Sequence, residues 1–155
     1  MMNKKRLPHV LAAVSMVVFV VLGLACVTTG ANRPPASFQR GSGGETAILI
    51  RPDLDFDVAF RELVFTLSRH GFQPEMMQQD AGFIRTQWNN EWHTVTGRGG
   101  VQRYRVRVVA NFNPSRTQVI INPEGEWLQG DTWVRGWDTR AVETLRNDLT
   151  MILGN

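Results

Sequence analysis

Three arginines alternate along one short stretch, Arg103, Arg105 and Arg107, with Tyr104 and Val106 between them and Val108 following. Strict period two places the guanidinium groups on one side of a β-strand, about 7 Å apart, and the apolar side chains on the other. Such a row could recognise an anion (a lipid head group, a glycan phosphate, an acidic partner) through planar, two-pronged hydrogen bonds. It could also be the wetted face of an antiparallel sheet, the commoner case, its charges partly met by Arg85, Gln87, Gln118 and nearby acids. Tryptophan is the second chemical resource. Trp88 and one of the later three are expected in the core. Trp92, Trp127, Trp133 and Trp137 fall in or beside polar, glycine-rich stretches, with Gly125, Gly130 and Gly136 between the last three. Aromatics in such places anchor partners or latch a loop onto its own domain.

Catalytic and metal chemistry find little support. Asp53, Asp55 and Asp57 alternate as in a calcium loop, but position 6 of that loop is Val58 rather than Gly and position 12 is Val64 rather than Glu. These acids suit a helix N-terminus instead. His70 and His93 are the only histidines after residue 25, and a zinc site needs three or four clustered ligands. Ser42 has neither the preceding strand nor the following helix of a nucleophile elbow. No lysine follows Lys5, so the glycine stretch around it is no phosphate-cradling loop. A non-catalytic protein without cofactor or metal is expected.

The only cysteine is Cys26. Asn3 to Arg6 form a basic start, and Val10 to Ala25 an apolar run of 16 residues, shorter than the roughly 20 that span a bilayer comfortably. Leu22-Gly23-Leu24-Ala25-Cys26 resembles the lipobox of bacterial lipoproteins, with Gly23 in place of the usual aliphatic residue. The resemblance implies that residues 1–25 are a signal peptide cut before Cys26. It also implies that the cysteine carries a diacylglycerol and that the new N-terminus is acylated, palmitate being a usual chain. The residue after the cysteine is Val27, not the Asp that resembles an inner-membrane retention signal. The implied location is therefore the outer membrane, facing the periplasm, with the membrane itself as a partner through Cys26. Two or more acyl chains anchor firmly where one binds only marginally.

The elements that must position the arginines and tryptophans come next. After residue 25 the chain holds 14 Arg and 14 acids, so the overall +3 belongs to the leader, and the basic footprint of a nucleic-acid binder is missing. Residues 26–44 are rich in Gly, Pro, Ser and Thr, with Phe38 the only large apolar residue, and read as the lipidated cysteine followed by a flexible tether. Residues 45–155 then form one modest domain. Thr46 to Ile50 is a strand; Asp55 caps a helix from Phe56 to His70 closed by Gly71. Phe72 to Gln78 is an edge-like strand because of Pro74, and Phe83 to Trp88 and Val101 to Ala110 are further strands. Thr117 to Ile121 returns as a hairpin. Asn122-Pro123 opens a long connection bearing the three tryptophans, and Asp138 or Thr139 caps a final helix. The expected order is β-α-β-β-β-β-α, an α+β layer of two helices on one mostly antiparallel sheet.

That order, with Gly71-Phe72, the run from Asp80 through Gly82, Ile84 and Thr86 to Trp88, and Arg103 to Val106, resembles small proteobacterial lipoproteins with a helix-grip domain. Among them is the lipoprotein component of the outer-membrane β-barrel assembly machinery. The resemblance implies an accessory or scaffold subunit of an envelope assembly complex, with an envelope protein as partner and no catalytic residues. An alternative is a periplasmic carrier or sensor holding an amphiphilic or anionic ligand between the second helix and the sheet. The candidate contact residues are Arg103, Arg105, Arg107, Trp127, Trp133 and Trp137.

Overall fold

Asp55 stops the chain in extended geometry and accepts the Asp57 N–H at 2.8 Å, opening the first helix, α1, over Phe56–Arg69. His70 is its C-cap, and Gly71 (φ 80°) takes the left-handed turn that releases the chain. Ala59, Phe60, Leu63, Thr66 and Leu67 form its buried stripe. The last helix, α2, covers Thr139–Leu153 and is capped by Asp138, whose side chain accepts the Ala141 N–H; it buries Ala141, Leu145, Leu149 and Leu153. The computed structural model describes residues 33–92 and 103–154. The leader, Cys26, the first tether residues, His93 and the stretch through Gln102 lie outside the described residues. A folded unit runs Pro34–Asn155.

Among the described residues seven strands make one sheet, antiparallel throughout: β1 Phe38–Arg40, β2 Thr46–Leu49, β3 Pro74–Gln78, β4 Phe83–Thr86, β5 Tyr104–Phe112, β6 Gln118–Gln129 and β7 Thr132–Asp138. Their order is β1-β7-β6-β5-β4-β3, with β2 also paired to β6. The class is α+β, and β3, which opens with Pro74, lies at an edge, where a proline is tolerated. Both helices pack on one face, where Ile84, Val106, Val108, Val119 and Ile121 are fully buried against Leu63, Leu67, Leu145 and Leu149.

Two expectations need correction. The expected order had five strands and a long connection after Asn122-Pro123; the chain instead continues through Pro123 as one twelve-residue strand, β6. The reason is local. The Val108 N–H donates to Thr86 Oγ1 at 2.9 Å, on the β4 side, so the Val108–Pro123 pair exchanges no backbone bond. The N–H that Pro123 lacks would point to the other edge of β6, where pairing with β2 has ended at Ile121 and pairing with β7 starts only at Glu124. The proline therefore costs no ladder bond. Gly130-Asp131 then closes a two-residue hairpin, with Gly130 at φ 62° and Gln129 opposite Thr132.

The second correction concerns the tether. It does not extend to residue 44, because Phe38–Arg40 pairs with β7 and Phe38 belongs to the core. Gly125 and Gly136 make room for this strand: a Cβ on Gly136 would overlap the Gln39 carbonyl and meet the Phe38 ring at 2.6 Å. These glycines sit in strands rather than loops. Their lack of a side chain admits Phe38 to the core.

Candidate binding face

Period two sorts the β5 side chains as expected: Tyr104, Val106 and Val108 lie under the helices, while Arg105 and Arg107 lie on the uncovered face. Register then brings opposite charges together. Arg105 stands across from Glu126 and Arg107 from Glu124. Arg105 Nε and one terminal nitrogen reach Glu126 Oε2 at 2.8 and 2.6 Å, and Arg107 Nε reaches Glu124 Oε2 at 2.6 Å. Arg135, on β7, adds a longer pair to Glu126 Oε1 at 3.6 Å. The nearby acids expected to meet these charges are Glu124 and Glu126 of the neighbouring strand; Gln87 and Gln118 do not reach them among the described residues, and Arg85 pairs with Glu75 instead. Sequence reasoning missed Glu124 and Glu126 because Asn122-Pro123 hid the strand that presents them.

Indole rings complete the face. The Arg105 guanidinium lies 4.1 Å from the Trp133 ring centroid and 4.5 Å from that of Trp88, and Arg107 also lies 4.5 Å from Trp88. A guanidinium over an indole gains from the ring quadrupole and from contact area. Trp133 and Trp137 stand on β7 and alternate with Arg135 on this same side; Trp137 is covered by Gly43 and Gly44 of the segment joining β1 to β2. A Cβ at Gly44 would meet the Trp137 side chain at 2.8 Å, so only glycine lets this strap lie so close. Of the expected contact residues, Arg105, Arg107, Trp133 and Trp137 come together here. Trp127 does not: it faces the helices, paired with Tyr104 and buried in the core. Trp88, expected in the core, belongs to the open face instead. Arg103 precedes β5, with its backbone carbonyl accepting from the Leu128 N–H at 2.7 Å.

Between the strap and Trp88 runs an open cleft of about 710 Å³ across β5, β6 and β7. Arg107, Asn122, Glu124, Glu126 and Arg135 line its floor, and Gly41 to Glu45 one wall. The expected alternative ligand site, between α2 and the sheet, is filled by Leu145, Leu149, Leu153, Ile48, Val119 and Ile121, all buried.

A second polar cluster lies on the covered side. Asp138 is fully buried and accepts from Ser37 Oγ (2.8 Å), Tyr104 Oη (2.6 Å), Trp92 Nε1 (3.2 Å) and the Ala141 N–H (2.7 Å). Burial, and then the adjoining Asp138 carboxylate, push the Tyr104 hydroxyl far above its ordinary range and keep it a donor. The cluster ties strand β1, the β4–β5 connection and α2 to one carboxylate. Trp92, stacked on Phe72 at 4.9 Å, is thereby held within the domain rather than offered to a partner.

Among the described residues no three His, Cys, Asp or Glu side chains gather as metal ligands, and no helix is long and apolar enough to cross a membrane. Compared with known proteins, the sequence matches no family model and no curated protein.

Proposed function

We propose that this chain is a non-catalytic outer-membrane lipoprotein, anchored through Cys26, whose periplasmic α+β domain is of helix-grip type and serves as an accessory subunit of an envelope assembly complex. The observation that carries the binding role is the uncovered sheet face. Tryptophan and arginine are the side chains most enriched where binding energy concentrates. Here Trp88, Trp133, Arg105, Arg107 and Arg135 share one surface, with no helix of the described residues over it. The anchor rests on the leader and the lone Cys26 alone.

A photo-reactive residue placed at position 135, where the arginine side chain is 90% exposed, tests the reading in intact envelopes. It is expected to capture a defined envelope protein that the same probe at Arg61, on the exposed side of α1, does not. Equal yields from both positions, or none from 135, would overturn the proposed surface. In parallel, Cys26→Ala is expected to abolish metabolic fatty-acid labelling and to leave the precursor uncut; labelling that persists would overturn the anchor.

A further inference from the structure

We propose that the cleft across β5, β6 and β7 binds a neutral, hydroxyl-rich oligosaccharide segment; the proposal rests on the reading of the uncovered face as a binding surface. Charge is the first observation. Arg107 and Arg135 line the cleft with Glu45, Glu124 and Glu126, and Glu126 is already neutralised by Arg105 from outside the lining, so neither sign is in surplus. An anion held here would meet carboxylates with no surplus of positive charge, and a cation would meet guanidinium groups. Neither is favoured.

Unused hydrogen-bonding capacity is the second. Among the described residues, Arg107 donates only through Nε, Glu124 accepts only through Oε2, and the Asn122 amide makes no hydrogen bond. That leaves guanidinium donors, a carboxylate acceptor and an amide, which is both, side by side along the floor. A hydroxyl donates and accepts through one atom, so adjacent hydroxyls match such a mosaic where phosphate, which only accepts, or ammonium, which only donates, cannot. The third observation is the wall. Trp88 borders the cleft with the part of its indole that Arg105 and Arg107 do not cover, an apolar surface for the C–H side of a pyranose ring, while the opposite wall, Gly41 to Glu45, is mostly glycine. Apart from that indole the lining is polar or glycine, so the apolar socket that anchors a peptide side chain is missing from this part of the face.

The test titrates the full lipidated protein in detergent micelles with chitotetraose and cellotetraose as neutral probes. A sulfated heparin tetrasaccharide and inorganic phosphate are the anionic probes. Tryptophan fluorescence and calorimetry supply the readouts. Saturable binding of a neutral tetrasaccharide is expected, with Kd below about 1 mM, changing by less than about twofold between 50 and 300 mM salt. Asn122→Ala, at a side chain with no role in the fold, should weaken it at least about threefold, as should Trp88→Phe. Tighter, salt-sensitive binding of the heparin fragment or of phosphate would overturn the proposal, and so would failure of both neutral probes to saturate. If position 135 still captures an envelope protein when both neutral probes fail, the glycan fails and the binding face stands. If saccharide binds and no protein is captured, the glycan stands and the assembly role falls.

Discussion

The two faces of this sheet obey the same alternation and reach opposite solutions. Under the helices, residues every second position along β5 and β6 are apolar and fully buried, and the single carboxylate admitted there, Asp138, is surrounded by donors. On the other side the same strands carry arginine and glutamate in register, with tryptophan rather than a helix covering the guanidinium groups. One face is stabilised by removing area from water. The other stays partly wet and is stabilised by matched pairs whose geometry the ladder fixes. The covered face thus holds the fold through buried area, and the open face through charges that the ladder brings into register.

The contrast is sharpest between two tryptophans only a hairpin apart. Trp127→Ala should destabilise by about 3 to 5 kcal/mol, as large-to-small core changes do, whereas Trp133→Ala should cost about 1 kcal/mol, in line with a half-buried cation–π contact. Urea unfolding of both variants measures the difference; similar losses would erase the distinction between the faces. Asp138→Ala should cost about 3 kcal/mol, because it removes a helix cap and strands the buried Tyr104 hydroxyl. Amide exchange should then rise first in β1, which Ser37 ties to that carboxylate.

Smaller effects separate matched charge from free charge. Arg105→Gln should cost about 2 kcal/mol, since Glu126 is buried and loses its principal partner. Adding Glu126→Gln should restore most of that stability. If Arg105→Gln alone is silent, the pair is no more than an exposed ion pair. The smallest effect lies on the helices. Asp148 receives His70 Nε2 at 2.8 Å and Arg69 at 2.9 Å; the hydrogen bond from His70 leads in holding its carboxyl below the ordinary 3.8. A carboxylate depressed on folding stabilises above its unfolded value, and that contribution is lost as pH falls through the folded one. Stability below about pH 4 should therefore fall less steeply in Asp148→Asn than in the parent.

Much of the covered face was legible in the sequence. Helix periodicity, the Asp55 cap, Gly71 and the alternation around Val106 each act within a few residues, and each survives in the structure. The alternation also placed Arg105 and Arg107 on the open face, but their glutamate partners were not legible, because they come from a strand whose proline argued against it. Pro123 is harmless only because its missing N–H falls in the gap between β2 and β7, a fact of long-range register. The Gly130-Asp131 pair between two β-rich runs was the available signal for the hairpin. Phe38 was the corresponding signal for β1, an isolated aromatic in a stretch otherwise too polar to fold. Its partners, Gly125 and Gly136, lie nearly a hundred residues away.

Strand β1 also sets the length of the leash. In the proposed lipoprotein the domain begins at Pro34, so the chain between Cys26 and the domain is the 7 residues Val27 to Arg33 rather than the 18 that run to Gly44. Its greatest extension falls from roughly 60 Å to roughly 25 Å. The local concentration a tethered module presents to a fixed neighbour falls as about the −3/2 power of leash length. By that scaling, capturing three residues at the sheet edge raises the concentration of the binding face near the membrane about fourfold. In the proposed lipoprotein, β1 therefore decides how often the open face meets anything lying close to the bilayer.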